Sequence, residues 1–264
     1  MNQTYLDQIS KHLGLGWMRY EDKVTSTNDL AAMWASEGAP DFSIIAADHQ
    51  THGRGRSGRK WFTPPNAALA FSLLLRPESA PDGVGRFSGL GALAVCTALK
   101  QDYQLNALIK WPNDVLLNGR KVCGVLPEAI WLGSDLQAVI LGIGINLSPE
   151  AYPKDTPLLF PAIAVEEALG KPVESHRFLL AVLTHLKGWY KRLDSPAFIA
   201  EWQDNLAFRG QAVEIIQDDQ PVSSGRLAGL DDHGRLVLTD DEGLTTAFSA
   251  SEIHLRPLVD SSSD

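Results

Sequence analysis

A short segment rich in arginine and glycine, GRGRSGRKW at residues 53–61, carries several basic side chains and no acidic one. These basic residues are Arg54, Arg56, Arg59 and Lys60. They repel one another unless an anion lies between them, and arginine forks suit the oxygens of phosphates and carboxylates. Trp61 adds an aromatic face on which a base can stack. The segment therefore predicts a loop that closes over a phosphorylated nucleotide.

Other interpretations of this segment remain open. Its glycines formally match the GxGxxG pattern of dinucleotide-binding folds, but that pattern requires a helix at the third glycine. Pro64 and Pro65 follow too closely for such a helix. A solvated surface loop and a short nucleic-acid patch are the two remaining alternatives. The glycines favour a mobile loop whose backbone approaches a ligand.

A second segment, KWPNDVLLNGRKVCG, brings a carboxylate and an ammonium group together. Asn118-Gly119 is a strong signal for a two-residue hairpin turn. In that hairpin Asp114 and Lys121 face each other across two strands, and Lys110 ends the strand before them. Such a pair could hold a Mg²⁺-bound phosphate and a substrate carboxylate. A routine cross-strand ion pair is the alternative.

A third segment, VILGIGIN, predicts a buried strand with two glycines on one face. Gly142 and Gly144 would leave a flat slot there, either for a ligand or for a neighbouring helix. Asn146 is a polar residue at the end of this apolar strand, where it can bind a ligand or cap the next turn. Gly124 would likewise let a ligand approach the backbone.

The composition limits what kind of chain carries these segments. The chain has 264 residues, of which 44% are hydrophobic and 21% charged, as in ordinary globular proteins. No apolar run is long enough to span a membrane, and the first residues do not resemble a signal peptide. Cys96 and Cys123 lie in apolar runs and are expected to be buried thiols in a reducing cytoplasm.

Hydrophobic periodicity and turn residues predict the elements that position these segments. Ser26, followed by Asp29, is typical of a capping box at the start of a helix that ends at Gly38. The predicted strands cover residues 17–24, 42–48, 68–76, 107–112, 121–132 and 137–147. The predicted helices cover residues 4–13, 27–38, 84–103, 162–170, 175–193 and 197–206. The pattern favours an α+β fold with a mixed or antiparallel sheet.

The last part of the chain differs in charge and in pattern. The formal net charge is -9, and residues 210–264 hold 11 acidic residues against three arginines. Short strands separated by Asp and Gly turns predict a small antiparallel barrel here. We therefore expect two domains, residues 1–209 and residues 210–264. The acidic balance disfavours a general nucleic-acid surface.

Four motifs occur in a fixed order, namely STN at 26–28, GRGRSGRKW, KWPND with GRKVCG, and GIGIN. Together they closely resemble biotin–protein ligases over roughly residues 16–260. The resemblance implies a catalytic domain like the core of class II aminoacyl-tRNA synthetases, with a mixed sheet, followed by an SH3-like barrel. Some members carry an amino-terminal DNA-binding domain. The few residues before the first strand leave no room for one, so we expect the type that lacks it.

The resemblance also assigns roles to individual residues. Ser26, Thr27 and Gln50 would hold the ureido ring of biotin. The biotin site as a whole would comprise Ser26, Thr27, Asn28, Gln50, Gly53, Arg54, Gly55, Arg56, Lys121, Gly124, Gly142 and Gly144. The ATP and adenylate site would comprise Arg54, Arg56, Arg59, Trp61 and Asn146. The catalytic groups would be Lys121, Asp114, Arg56 and Lys110, with Asp114 either orienting Mg²⁺ or accepting a proton.

The activity implied is ATP-dependent formation of biotinyl-5′-adenylate and transfer of biotin to a lysine of a biotin carboxyl carrier protein. ATP with Mg²⁺ is the expected co-substrate, no nucleic acid or membrane partner is expected, and a homodimer is allowed. A lipoate–protein ligase and a non-catalytic module that binds biotin or the carrier are the alternatives. His52 replaces a residue that is commonly small. Pro127 replaces a β-branched residue and predicts an edge or a bulge in its strand.

Overall fold

A computed structural model describes residues 1–78, 84–155, 158, 160–217, 219–250 and 253–258. The helices are α1 (Gln3–Leu13), α2 (Thr27–Ser36), α3 (Gly85–Gln101), α4 (Val165–Leu169), α5 (Ser175–Tyr190) and α6 (Pro196–Asp204). The first seven strands are β1 (Met18–Val24), β2 (Ser43–Gln50), β3 (Ala68–Leu75), β4 (Ala107–Lys110), β5 (Asp114–Leu117), β6 (Arg120–Leu132) and β7 (Asp135–Asn146). The last five strands are β8 (Ala212–Gln217), β9 (Gln220–Leu230), β10 (Leu236–Thr239), β11 (Thr245–Phe248) and β12 (Ile253–Pro257).

The first seven strands form one sheet in the order β1-β2-β3-β7-β6-β5-β4. β1 and β2 run parallel and the other neighbours run antiparallel, so the sheet is mixed, as expected. Every residue of the central strand β3 is buried. Both of its faces are therefore covered, which explains why its sequence is a continuous apolar run rather than an alternation.

Helices cover the two faces of this sheet. α3 packs against β6 and against α5 within the main hydrophobic core. Close packing requires a glycine in α3, because a Cβ at Gly91 would lie 2.7 Å from the side chain of Val125. α2 lies against β2, β3 and β7, where Ala31 and Trp34 join a smaller apolar cluster. The amino end of α2 is thereby held beside the middle of the sheet.

The predicted hairpin between β5 and β6 is confirmed. Asn118 and Gly119 both have positive φ, 51° and 70°, as a type I′ turn requires. The turn pairs the two strands so that Asp114 lies opposite Gly124. The peptide bond between Trp111 and Pro112 is cis. Lys110 and Asp114 pair across the connection between β4 and β5.

The last five strands form an antiparallel sheet in the order β11-β10-β9-β8-β12. Four of its strands match the predicted segments, but β12 was not predicted, because it is short and ends at a proline. β12 pairs with β8 along its full length. Gly210, with a φ of 79°, donates its amide to Leu227 of β9. We propose that the domain boundary lies at residues 209 and 210.

The start of α2 and the surroundings of Pro127 in β6 each differ in part from what the sequence predicts. Among the described residues the Ser26 side chain makes no cap hydrogen bond, so the predicted capping box is wrong, although α2 does begin at Thr27. Asp29 instead pairs with Arg54. The edge predicted from Pro127 is confirmed, because no described strand pairs with the outer side of β6 there. The register of β6 shifts elsewhere, against β5 opposite Val115 and Leu116, and against β7 between Ile130 and Trp131.

Candidate active site

One cavity of about 620 Å³ opens between the two sheets. Its walls come from the start of α2, the arginine-rich segment, the β4–β5 connection, the glycines of β6 and β7, and strand β12. All predicted site residues line it except Gly53. The fold therefore brings together residues that lie more than 100 positions apart in the chain. None of the described helices is long and apolar enough to cross a membrane.

A buried carboxylate lies between two ammonium groups at the base of the cavity. Lys121 Nζ is 2.6 Å from Asp114 Oδ1, and Lys110 Nζ is 3.9 Å from Asp114 Oδ2. Asp114 and Lys110 are 8% and 6% exposed, whereas Lys121 reaches further into the cavity. The pairing expected from the hairpin is confirmed. Its burial makes it more than a routine surface ion pair.

The charges in this cluster depend on one another. Burial alone raises the pKa of Asp114, but Lys121 and Lys110 outweigh burial and hold the pKa below its usual value. Burial lowers the pKa of Lys110, while Asp114 opposes that shift. Asp114 is therefore a fixed negative charge at neutral pH. A carboxylate with a lowered pKa is a weak base, so the site favours Asp114 as the group that holds the two lysines.

The donors present do not fit the assignment of Asp114 as a ligand of Mg²⁺. Both of its carboxylate oxygens face ammonium groups, and a divalent cation prefers several oxygen ligands without neighbouring cations. Among the described residues there is no group of three His, Cys, Asp or Glu side chains that could hold a metal ion. Asp114 is therefore better placed to bind the two lysines than a metal ion.

The arginine-rich segment forms a small hairpin, and the mobility expected from its glycines stays a prediction. Gly55 N donates to Arg59 O at 2.7 Å, and Trp61 N donates to Gly53 O at 2.9 Å. Ser57 and Gly58 form the turn with positive φ angles of 53° and 69°. Gly53 is required for the close approach, because a Cβ there would lie 2.5 Å from Trp61 O. We call residues 53–61 the arginine hairpin.

Arg54 has acidic partners that the segment itself does not contain. Its guanidinium pairs with Asp29 of α2 and, at 3.0 Å, with Glu128 of β6. Glu128 Oε2 also accepts a hydrogen bond of 2.6 Å from Asn28 Nδ2. The expectation that all four cations of the segment await an anion is therefore wrong for Arg54. Its ion pairs connect the arginine hairpin to α2 and to β6, and its contact with biotin or the adenylate stays a prediction.

Arg56 and Arg59, the other two arginines of the hairpin, lie at the end of the cavity that contains Lys121. Arg56 is half-buried, and its guanidinium donates to Asn113 Oδ1 at 3.4 Å and to the carbonyl of Ala250 in the second sheet module. Burial lowers the pKa of Arg56, although Asp114 nearby opposes that shift. Arg59 is exposed and lines the cavity. These two arginines, with Lys121, form its cationic end.

The slot expected over the glycines exists, and protein side chains lie in it. A Cβ at Gly144 would lie 2.3 Å from the Trp61 ring, and one at Gly124 would lie 3.1 Å from it. Gly124 and Gly144 are direct partners across β6 and β7. A Cβ at Gly142 would likewise lie 2.3 Å from Asn28 Oδ1. Trp61 and Lys121 both lie over Gly124, where a Cβ would also be 3.3 Å from Lys121 Nζ, and that Nζ is 5.6 Å from the Trp61 ring.

Polar side chains at the start of α2 form the end of the cavity remote from the lysines. Thr27 N and Thr27 Oγ1 donate to Gln50 Oε1 at 2.9 and 3.1 Å. Gln50 Nε2 donates to Thr63 Oγ1 at 3.2 Å, which fixes the orientation of the Gln50 amide. Ser26 lines the cavity, and its hydroxyl is not used as a helix cap. Ser26, Thr27 and Gln50 offer neutral donors and acceptors here, and the nearby charges of Arg54, Asp29 and Glu128 are paired with one another.

Asn146 is tied into the structure below the cavity. It is 3% exposed, and its Nδ2 donates to Ile163 O at 3.2 Å and to Lys121 O at 3.4 Å. It therefore holds the backbone of Lys121 to the loop after β7. Contact of Asn146 with a nucleotide stays a prediction.

Several residues that shape the site were not found from the sequence. They are Ser72, Glu128, Asn113 and the β12 residues Ile253, Leu255 and Arg256. Ser72 had a signal, because it is the single polar residue in the apolar run of β3. Asn113 had one as well, because it precedes Asp114 in the KWPND motif. Glu128 and the β12 residues had none that spacing could reveal, since the fold brings them from distant segments.

Comparison with known protein families gives two matches along the chain. Residues 20–146 match the biotin/lipoate A/B protein ligase family. Residues 208–256 match the biotin protein ligase C terminal domain. The second match begins two residues before Gly210 and includes most of the second sheet.

Individual relatives cover most of the chain. A biotin–[acetyl-CoA-carboxylase] ligase of Paracoccus denitrificans is 34% identical over 226 residues, which are 83% of this chain and 93% of the relative. A bifunctional ligase/repressor of Bacillus subtilis is 30% identical over 236 residues, 88% of this chain and 72% of the relative. The structure of a biotin protein ligase from Aquifex aeolicus in complex with biotin and ATP superposes with a TM-score of 0.79. It is 28% identical and covers 92% of this chain and 99% of its own.

Proposed function

Because the chain belongs to the biotin protein ligase family, we propose that it joins biotin to an acceptor lysine in two steps. In the first step it activates biotin with ATP as biotinyl-5′-adenylate. In the second it transfers the biotinyl group to a lysine of a biotin carboxyl carrier protein. It is accordingly an ATP-dependent ligase with an α+β catalytic domain and an SH3-like carboxyl-terminal domain.

One observation carries this proposal: a single cavity joins a neutral polar end to a cationic end. The neutral end, with Ser26, Thr27 and Gln50, offers donors and acceptors suited to a urea group. The cationic end, with Lys121 and Arg56, suits a carboxylate and a phosphate. Biotin carries a ureido ring at one end and a carboxylate at the other, so a ligand of this chemistry would span the two ends.

Activation requires a carboxylate oxygen of biotin to attack the α-phosphorus of ATP while pyrophosphate leaves. Lys121 is placed to hold that carboxylate, because its ammonium lines the cavity and is held in position by Asp114 at 2.6 Å. Arg56 and Arg59 are at the same end and would stabilise the charge that develops on the phosphate oxygens. Trp61 closes the space over the glycine slot and excludes water, which would otherwise hydrolyse the adenylate.

Transfer requires the amine of the acceptor lysine to attack the acyl carbon while AMP leaves. The amine must lose its proton, and the lowered pKa of Asp114 makes that carboxylate a weak base. We therefore propose that Asp114 keeps Lys121 and Lys110 in position, and that the proton is released to solvent or to the leaving phosphate.

Two finer points follow from the chemistry. Mg²⁺ would enter as the counter-ion of the ATP phosphates rather than on a protein site, in keeping with the absence of a ligand cluster among the described residues. We also propose a reducing compartment, the cytoplasm, as the place of action. Cys96 and Cys123 are both free and buried, which supports this.

The test is exchange of labelled pyrophosphate into ATP by the purified protein, with biotin, with lipoate and with neither. We expect exchange that depends on biotin. Exchange with lipoate alone would keep the adenylate chemistry and change the substrate. Binding of biotin without any exchange would support a non-catalytic module instead.

Lys121→Ala is the matching variant for this assay. We expect it to lower biotin-dependent exchange by about 10²- to 10³-fold, the usual cost of removing one preorganised electrostatic group. Lys23→Ala removes an exposed lysine of β1 outside the cavity and serves as the control. Equal activity of the two variants would contradict the role of Lys121.

A further inference from the structure

Ser72 is an isolated hydroxyl in the centre of the molecule. It lies in the middle of β3, between β2 and β7, and its side chain is fully buried. Every other residue of β3 is apolar. A buried hydroxyl costs stability unless it is hydrogen-bonded, so its partners show what it does.

Both partners of Ser72 line the cavity, although Ser72 itself does not. Its Oγ is 2.7 Å from Thr27 Oγ1 and 2.5 Å from Asn28 Oδ1. Asn28 Nδ2 donates to Glu128 Oε2 and to Leu126 O, which fixes the Asn28 amide with its oxygen toward Ser72. Ser72 is therefore the common partner of two cavity residues.

The hydrogens in this cluster can be counted. Ser72 and Thr27 have one hydroxyl hydrogen each, and three oxygen–oxygen contacts share them: Ser72 with Asn28, Ser72 with Thr27, and Thr27 with Gln50. The two hydrogens can make two of these three contacts hydrogen bonds at any one time, and neither hydrogen then points into the cavity. The Thr27 and Asn28 oxygens then offer lone pairs to a ligand.

We propose that Ser72 is a positioning residue that fixes Thr27 and Asn28 as acceptors for the N–H groups of the ligand. The inference rests on the proposed function, since a urea ring supplies those N–H groups. Ser72 acts through its two partners and does not touch the ligand. Without it, Asn28 Oδ1 loses this donor, and Gln50 at 3.1 Å is the remaining acceptor near the Thr27 hydroxyl hydrogen.

The test is Ser72→Ala in the biotin-dependent exchange assay. We expect the KM for biotin to rise roughly 10- to 100-fold, as for a buried polar partner left unsatisfied. The KM for ATP should stay within about twofold, because the cationic end of the cavity is separate from this cluster. An unchanged KM for biotin would overturn the proposal.

A biotin analogue distinguishes a positioning role of Ser72 from a general loosening of the cavity. Biotin methylated on one ureido nitrogen lacks one N–H group, so the wild-type enzyme should strongly prefer biotin to it. In Ser72→Ala that preference should shrink by about tenfold, because the acceptor is no longer held in place. Desthiobiotin keeps the urea and should lose affinity in parallel with biotin. Equal losses for biotin and the methylated analogue would mean that Ser72 is only structural.

The controls keep the result interpretable. Ser43→Ala removes a buried serine from the neighbouring strand β2, where its Oγ donates to Pro40 O at 2.7 Å, and should leave the KM for biotin unchanged. A rise equal to that of Ser72→Ala would overturn the proposal. Ser72→Cys keeps the shape with a weaker donor and should show a smaller loss of the same pattern, which guards against misfolding of the alanine variant. If the wild-type protein shows no biotin-dependent exchange, the proposed function itself is refuted. If the wild type is active and Ser72→Ala loses equal affinity for biotin and for the methylated analogue, only the role of Ser72 is refuted.

Discussion

At the scale of single residues, the site depends on a negative charge that is not itself placed to react. Asp114 is buried between Lys121 and Lys110 and is paired with both. Removing a carboxylate from such a cluster leaves two ammonium groups in a poorly solvated space, which is costly. The sequence predicted the pairing with Lys121 from the hairpin register. It could not predict the depth of burial, which depends on the β4–β5 connection and on the helices packed behind it.

Asp114→Asn should therefore change both the stability of the protein and its dependence on pH. The pKa of Asp114 is lower in the folded protein than the value of about 3.9 in an unfolded chain. The stability that its charge contributes is thus fully present above that unfolded value and is lost as the pH falls through the lower folded pKa. We expect the variant to be less stable by about 3–5 kcal/mol at neutral pH.

Urea denaturation of both proteins at a series of pH values checks this. The difference in the free energy of unfolding should be constant from about pH 7 to pH 5 and should narrow as the solution becomes more acidic. Asp22→Asn, an exposed aspartate of β1, is the matched control and should show little difference at any pH. A difference between wild type and Asp114→Asn that does not vary with pH would contradict the charge argument.

At the scale of elements, the arginine hairpin depends on partners from two other elements. Its backbone hydrogen bonds hold residues 53–61 together, while Arg54 fastens it to α2 through Asp29 and to β6 through Glu128. All three of these side chains are substantially exposed, so each ion pair is expected to contribute less than about 1 kcal/mol. The hairpin is therefore held closed by weak interactions, which suits an element that must admit substrate.

Glu128→Gln should loosen the arginine hairpin without disturbing the sheet. The change keeps the shape and removes the charge that pairs with Arg54, so the hairpin should open more often, by up to about fivefold. The hairpin contains three arginines and one lysine, so limited digestion with trypsin reports its opening directly. Cleavage within residues 53–61 should be faster in the variant. Glu37→Gln, at the exposed end of α2, is the control and should be cleaved at the wild-type rate. If trypsin cleaves Glu128→Gln no faster than the wild type, the ion pair with Arg54 does not hold the hairpin closed.

Most elements could be predicted from the sequence, and the exceptions have physical reasons. Strands such as β3 and β7 and helices such as α3 and α5 have long apolar patterns that local sequence determines. The pairing within the arginine hairpin is not visible in the sequence, because the ion-pair partners of Arg54 lie 25 and 74 residues away from it. β12 was missed for the same reason, since its pairing with β8 is not visible in its own short sequence. The Ser26 cap was wrong because Asp29 pairs with Arg54 instead.

At the scale of the whole molecule, the carboxyl-terminal module forms part of the active-site cavity. Ile253, Leu255 and Arg256 of β12 line it, and the Ala250 carbonyl accepts a hydrogen bond from Arg56. Two hydrogen bonds connect a loop of the same module to the catalytic domain. Arg86 of α3 donates to Asp232 O at 2.6 Å, and Trp111 Nε1 donates to Gly234 O at 3.1 Å. The acidic module is thus more than the solvated barrel that its charge suggests.

Arg86→Met should loosen this attachment and weaken the site at one end only. The methionine keeps an apolar stem but cannot donate to Asp232 O or to Leu193 O, so the module should be held less firmly by about 1.5–3 kcal/mol. The KM for ATP should rise, because β12 borders the cationic end. The KM for biotin should not rise, because Thr27 of α2 and Gln50 of β2 belong to the amino-terminal part of the chain. Amide hydrogen exchange should quicken in β8 and β9 but not in β3. Arg177→Met replaces an exposed arginine of α5 and should change neither the KM for ATP nor the KM for biotin. If Arg86→Met raises both KM values in parallel, the two ends of the cavity are not independent.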